Sequence, residues 1–146
     1  CALPILFNFN QSRLMQLIYM STPADGTTQE SLVSVVSKAQ EYNLAHEISG
    51  FLLFDGQHVL QLLEGPKREV IALFEKIKND DRHHHVQALY EEVSEERAMP
   101  FLGMGLSFIN SKENLKHDFY YTRIQAQEFS GLIEGAVGNF FRKYLF

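Results

Sequence analysis

Alternating and helical patterns of apolar positions divide the chain into strands and helices. Short apolar runs bounded by turn residues predict strands at residues 15–21, 48–54, 58–63, 86–93 and 103–109. Helical spacing predicts a first helix that begins at a capping box formed by Thr27 and Glu30, and a second helix over residues 67–79. Two further helices, one of them short, are expected within residues 111–146. The turn residues 55–57 between the second and third strands are typical of a hairpin.

The order of these elements is βαββαββ followed by a helical tail, which favours an α+β fold with a ferredoxin-like sheet and one extra strand. Helices that connect strands of one sheet tend to pack on the same face, so we expect two helices on one face. The tail has a wide apolar helix face, made by Phe129, Leu132, Ile133, Ala136, Val137, Phe140 and Tyr144. Two interpretations remain open: this face covers the other side of the sheet, or it binds a partner or a second copy of the chain.

The third predicted strand carries a glutamine where an apolar residue is expected. Strand alternation places Gln61 on the same face as Val59 and Leu63. An amide buried without partners costs about 1–3 kcal/mol, so the fold must offer Gln61 both a donor and an acceptor. Tyr19 lies on a matching face of the first strand, and Asn43 lies on the apolar stripe of the first helix.

These three polar side chains admit two interpretations. In the first, Tyr19 and Gln61 satisfy each other within the core, and Asn43 caps the end of its helix. In the second, all three converge beneath the helices on one planar ligand, which has apolar faces and an edge of carbonyls and ring nitrogens.

Composition narrows the class of protein. The 146 residues suffice for one globular domain with its own core, and a net charge of −5 without any Lys/Arg run argues against nucleic-acid or anionic-membrane binding. The single cysteine, Cys1, suits a reducing compartment. No apolar run approaches the ~20 residues that span a bilayer, so we expect a cytoplasmic protein. Residues 1–13 are expected to be an N-terminal extension or the remnant of a processed, tagged or excised segment.

Neither an enzyme nor a metal site is expected. The sequence shows no Ser/His/Asp, Cys/His or paired-carboxylate arrangement and no glycine-rich phosphate loop. His83, His84 and His85 are consecutive, and three consecutive histidines do not form a cage for a first-row metal.

Five segments, taken together and in order, resemble the BLUF domains, which are flavin-based blue-light sensors. They are Leu17-Ile-Tyr-Met-Ser21, Asn43-Leu-Ala-His-Glu-Ile-Ser-Gly50, Leu60-Gln-Leu-Leu-Glu-Gly-Pro66, Asp81-Arg-His83 and Gly103-Met-Gly105. The resemblance implies a flavin-binding domain over residues 14–110, followed by a helical extension over residues 111–146. The alternative is a ferredoxin-like protein-interaction module that is not photoactive.

The resemblance also implies a cofactor and its contacts. FAD, with FMN or riboflavin as alternatives, would bind non-covalently between the two helices. The residues implied to contact it are Tyr19, Asn43, Ile48, Gln61, Arg82, His83 and Met104. Tyr19 would donate an electron and a proton to the light-excited flavin, and Gln61 would be left rotated or tautomerised in a red-shifted state.

Output would pass through the fifth strand to the tail. Met104 matches the methionine of that strand, whereas Leu102 stands where many members have Trp. We therefore expect the switch to involve Met104 and the position of the strand. The signal would reach a downstream protein, an effector not contained in this sequence, or another copy of the chain in a homo-oligomer.

Overall fold

Apolar side chains on both faces of the strands draw them into one sheet between two helical layers in the computed structural model, which describes residues 13–99 and 101–146. The strands are β1 (Leu14–Pro23), β2 (Ser49–Phe54), β3 (Val59–Pro66), β4 (His83–Ser94) and β5 (Gly103–Phe108). The helices are α1 (Gln29–Ala45), α2 (Lys67–Lys78), α3 (Arg123–Ser130) and α4 (Gly135–Leu145). Apart from Arg13, the predicted N-terminal extension lies outside the described residues.

The strand order confirms the predicted ferredoxin-like fold. The order is β4-β1-β3-β2-β5, and every neighbouring pair is antiparallel except β2 and β5. The extra strand, β5, therefore lies parallel to β2 at one edge. The central strands β1 and β3 pair in a register that sets Tyr19 opposite Gln61.

Strand alternation divides the sheet between two hydrophobic cores. Beneath α1 and α2, the sheet contributes Leu17, Tyr19, Leu52, Val59, Leu63, Met104 and Leu106. Beneath α3 and α4, it contributes Ile18, Phe51, Leu53, Leu60 and Leu62. The tail therefore covers the second face of the sheet, as the first of the two interpretations predicts.

The predicted apolar face of the tail does not lie on one helix, because the tail is broken between residues 130 and 135. α3 ends at Ser130 and α4 begins at Gly135, which has a φ of +78°. Leu132 lies in the connection and is 80% exposed. Close packing of α4 on the connection requires a glycine, since a Cβ at Gly138 would lie 1.8 Å from the carbonyl oxygen of Ile133. Within the described ranges, none of the helices has both the length and the apolar character needed to cross a bilayer.

The cap of α1 is one residue later than predicted. Thr28, and not Thr27, is the N-cap: its hydroxyl accepts from the Ser31 amide at 3.1 Å, and the Ser31 hydroxyl accepts from the Thr28 amide at 2.9 Å. The Thr27 hydroxyl instead donates to the carbonyl of Ala24 at 2.6 Å, within the preceding turn. Serine can supply the return bond of a capping box as glutamate does, so Glu30 is left in the first turn, where it stabilises the positive end of the helix.

A buried carboxylate ties β3 to the connection between β4 and β5. Glu64 is fully buried on the face opposite Gln61, and its oxygens accept from Gln16 Nε2 at 2.8 Å, from the Ala98 amide at 2.6 Å and from the Met99 amide at 2.8 Å. The sequence pattern predicted a strand that ends at residue 63, but β3 continues to Pro66. Glu64 therefore acts as an internal anchor for the connection that leads into β5.

Replacing this carboxylate is expected to destabilise the fold. In Glu64→Gln, one oxygen is replaced by an NH₂ group that faces backbone N–H donors, and the free energy of unfolding should fall by about 1–3 kcal/mol. Urea denaturation of the variant and the wild type measures the difference. Glu92→Gln, the same change at an exposed position of β4, is the control and should leave stability unchanged. Equal stability of Glu64→Gln and the control would contradict the anchoring role.

Candidate functional site

A cavity of about 550 Å³ lies between α1 and α2 above the central strands, within the usual range for small-molecule sites. Apolar side chains from both helices and the sheet make most of its wall: Leu32, Val35, Val36, Ala39, Leu73, Ile77, Leu52 and Val59. The helical periodicity of α1 places its apolar residues on the side that faces the cavity. The cavity is therefore a mainly apolar slot, and its polar groups stand out individually.

Tyr19 and Gln61 form the floor of this slot. The two residues face each other in the β1–β3 register, and the Tyr19 hydroxyl donates to Gln61 Oε1. Tyr19 is 2% exposed and Gln61 is 8% exposed. Burial raises the pKa of Tyr19 well above its usual value, and the negative charge of Asp80 adds to the rise. The phenol is therefore held neutral, with its proton directed at Gln61.

Met104 completes this row of polar contacts. Gln61 Nε2 donates to Met104 Sδ at 3.3 Å, so the amide bridges a phenol on one side and a thioether on the other. Space for the thioether exists because position 50 is glycine: a Cβ there would lie 2.6 Å from Met104 Cε. The bridging position of Gln61 therefore depends on neighbours from three strands.

Asn43 points from α1 towards the edge strand and does not cap its helix. Its Nδ2 donates to the Gly103 carbonyl at 3.2 Å, whereas the C-cap position belongs to His46. A primary amide has two N–H donors, and among the described residues Asn43 and Gln61 each use one of them. Both side chains line the cavity, so the second donor of each is available to a bound molecule.

Gln40 is a polar residue that the sequence patterns did not single out. Its Nε2 donates to the Met104 carbonyl at 2.7 Å, and its Oε1 accepts from the Met104 amide at 3.0 Å. A signal was present, since Gln40 follows Val36 by four residues and precedes Asn43 by three, which places it on the same side of α1.

Arg82 lies at the mouth of the cavity and is paired with an acid. Its Nε donates to both oxygens of Asp80, at 3.0 and 2.9 Å, and these bonds lower the pKa of Asp80 to about 2. The Arg82 carbonyl accepts from the Ala24 amide at 2.8 Å, which ties the start of β4 to the loop before α1. The mouth therefore carries both signs of charge in a fixed arrangement.

His83 also lines the cavity and uses both ring nitrogens. Nε2 lies 2.6 Å from the Ile77 carbonyl, which can only accept, so Nε2 carries a proton, and Nδ1 lies 3.0 Å from the Ser21 hydroxyl. His84 and His85 are exposed, and His85 has a φ of +55° at an irregularity of the β1–β4 pairing. In the described part of the chain, no cluster of His, Cys, Asp or Glu is arranged to hold a metal ion.

The structure thus brings together six of the seven side chains implied to contact the cofactor: Tyr19, Asn43, Gln61, Arg82, His83 and Met104 all line the cavity. Ile48 is fully buried, but it is not among the lining residues and packs beside Gly65 instead. Its contact with a cofactor stays a prediction. Leu102, at the position where a Trp is common, is 38% exposed and also lies outside the lining.

The site fits a flavin on chemical grounds. A flat apolar ring system suits the slot between α1 and α2, and ring carbonyls and nitrogens suit the free amide donors of Asn43 and Gln61. The charged and polar groups of Asp80, Arg82 and His83 lie at the mouth, where the hydrophilic part of such a molecule would leave the protein.

Comparison with known proteins agrees with this geometry. Residues 14–105 match the sequence profile of the BLUF family, described as sensors of blue-light using FAD. The blue light- and temperature-regulated antirepressor BluF of Escherichia coli is 34% identical over 93 residues, which are 64% of this chain and 23% of that protein. Photoactivated adenylate cyclase subunit alpha of Euglena gracilis is 34% identical over 87 residues, which are 60% of this chain and 8% of that protein.

A solved structure, the BLUF domain of BlrP1 from Klebsiella pneumoniae, is similar with a TM-score of 0.61 and 33% identity, over 66% of each chain. The chain spans less than a quarter of the length of the two curated relatives. Because the family profile covers more than half of its residues, the chain belongs to the BLUF family of blue-light sensors that use FAD.

Proposed function

We propose that the chain is a photoreceptor that binds FAD between α1 and α2 and signals by rearranging the hydrogen bonds of Tyr19, Gln61 and Met104. The observation that carries this proposal is the bridging amide: Gln61 accepts from Tyr19 through Oε1 and donates to Met104 through Nε2 at the floor of the cavity. An amide can exchange these two roles without leaving its place, which is what a reversible switch requires.

Individual residues have separate tasks in this proposal. Asn43 and Gln61 would bind the polar edge of the ring with their free N–H donors, and Arg82 and His83 would face the ribityl-phosphate part at the mouth. When bound and excited by blue light, FAD supplies a strong one-electron oxidant. Tyr19 is the adjacent donor, because its buried neutral phenol holds a proton that can move along the hydrogen bond to Gln61 Oε1.

Reversal of the Gln61 amide has a direct consequence for β5. A rotated amide turns Oε1 towards Met104 Sδ, and two acceptors in contact lose the hydrogen bond that the present arrangement has. Met104 must then repack, and its flexible thioether can do so within the core. The contact between Gln61 and Met104 therefore differs between the two orientations of the amide, and this difference can shift the position of β5.

We propose that residues 14–110 are the sensor and that residues 111–146 carry the output. β5 is bonded to the segment before α3, since the Leu106 amide donates to the Phe119 carbonyl at 2.9 Å and the Leu106 carbonyl accepts from the Tyr121 amide at 2.8 Å. Movement of β5 is therefore passed to the backbone that leads into α3. The names of the relatives, an antirepressor and an adenylate cyclase subunit, support a sensory role whose effector is a partner protein, a part not contained in this sequence, or another copy of the chain.

Light absorption tests the proposed function directly. The protein purified with FAD should be yellow, and blue light should shift its flavin band reversibly to longer wavelength. Absorption spectra before illumination, after illumination and after return to darkness measure the effect. A colourless protein that takes up no added FAD would exclude the photoreceptor and favour a protein-interaction module.

Two substitutions test the roles at the cavity floor. Gln61→Leu keeps the strand packed but cannot exchange hydrogen bonds, and Tyr19→Phe lacks the phenolic proton, so each variant should bind FAD and lose the red shift. Gln57→Leu makes the same chemical change in the exposed hairpin turn and should behave as wild type. The same red-shifted product in either cavity variant would exclude the assigned roles.

Met104→Ala tests the output route. The variant should keep most of the spectral shift and lose the light-induced change in the tail, because alanine has no side chain to repack against Gln61. Hydrogen exchange of residues 101–146, measured in darkness and under blue light, reports the change. Met99→Ala removes a buried methionine from the opposite core and is the matched control. Identical light-induced changes in Met104→Ala and wild type would show that the signal leaves the cavity elsewhere.

A further inference from the structure

The edge of the sheet at β5 is closed by side chains of a helix. Within the described residues, β5 pairs along its length only with β2, and on its outer side it forms a single parallel bridge between Leu106 and Tyr120. Its other outward backbone groups must find other partners. At residues 103 and 104 those partners come from α1. Asn43 binds the Gly103 carbonyl, and the Gln40 amide binds both the N–H and the C=O of Met104.

The Gln40 amide pairs with Met104 as a neighbouring strand would. A side-chain amide offers the same donor and acceptor as a peptide unit, and two reciprocal bonds to one residue reproduce the hydrogen-bonded pair of an antiparallel ladder. Gln40 Nε2 also donates to the Val36 carbonyl at 3.2 Å in its own helix, so both of its N–H groups are used. The orientation of the amide is therefore fixed from both sides.

The close approach of this amide depends on a glycine in β5. Gly103 has a φ of +107°, and a Cβ at this position would lie 2.5 Å from Gln40 Oε1. Glycine therefore permits both the unusual backbone conformation and the contact. Gln40 itself is not among the residues that line the cavity, so it acts on the site only through Met104.

We propose that Gln40 is a positioning residue that holds the Met104 backbone against α1, so that the Met104 sulfur stays within reach of Gln61; this role rests on the proposed photochemical function. The same helix carries Asn43 three residues later. One helix would therefore position both the Asn43 amide at the edge of the flavin ring and the Met104 sulfur beside Gln61. With the backbone held, reversal of Gln61 must be absorbed by the Met104 side chain or by β5 and α1 moving together.

Gln40→Met tests the role, because methionine keeps the length and helix propensity of glutamine but cannot form either bond. Glu41→Met, at the neighbouring exposed position of α1, is the control. The first measurement is hydrogen exchange of the Met104 amide in the FAD-loaded protein kept in darkness. Exchange should become at least about fivefold faster in Gln40→Met, as expected for loss of one hydrogen bond, and stay unchanged in the control. Unchanged exchange in Gln40→Met would overturn the proposal.

A double-mutant cycle with Met104→Leu separates positioning from a general structural effect. Gln40→Met should change the rate of thermal return to the dark spectrum by about fivefold in the wild-type background, and should not change it in the Met104→Leu background, where no sulfur meets Gln61. The same fold-change in both backgrounds would show that Gln40 acts by another route and would overturn the proposal.

A second variant tests the same role of Gln40 if Gln40→Met does not fold. Gln40→Glu retains an acceptor for the Met104 N–H but sets a second oxygen against the carbonyl oxygens of Met104 and Val36, so its return rate should also differ from wild type. A return rate equal to wild type would count against the proposal. A wild-type protein that shows no red shift would overturn the photoreceptor function itself, which the exchange of the Met104 amide does not measure.

Discussion

The hydrogen bond between Tyr19 and Gln61 is the interaction on which the rest of the site depends. It joins the two central strands on the face beneath α1 and α2, and it fixes which end of the Gln61 amide points to β1 and which to β5. A buried amide is costly unless both of its ends are satisfied, so Tyr19 and Met104 together make this position possible for glutamine. A polar bridge can exist at the centre of an apolar slot for this reason.

The fold surrounds this bridge with parts of different stiffness. On the opposite face, three residues along the same strand, Glu64 is bound by Gln16 and by two backbone amides, which holds β3 in place. On the cavity face, the contact with Met104 is a weak bond to a flexible side chain. The contact of Gln61 with β5 is therefore more adaptable than the bonds that hold β3.

Much of this arrangement could be predicted from the sequence, and the remainder depends on long-range pairing. Period-two alternation placed Gln61 on the inner face, and helical spacing placed Asn43 on the stripe of α1, because both follow from local geometry. The partners of Glu64 and Gln40 could not be predicted in this way. Apart from Val36, which lies within the same helix, these partners are 34 or more residues away and depend on strand order and register, which no local window contains.

The exact ends of elements were also beyond prediction. Thr27 and Thr28 are equally suitable as caps by residue type, and the choice is made by the bond from Thr27 to Ala24. The break between α3 and α4 is likewise decided by how closely Gly138 packs on Ile133. Tertiary contacts decide both cases, whereas composition and periodicity only limit the possibilities.

The helix side chains that cover the outer edge of β5 also affect whether a strand of another molecule can pair with this sheet. An open strand edge can recruit a strand from another molecule, but at residues 103–104 the outward groups are already bound by amides of α1. At the other edge, β4 has an irregular pairing near His85 and exposed charges at Glu91 and Glu92, features that discourage a new strand from pairing. Both edges of the sheet are thereby protected from edge-to-edge aggregation with other molecules.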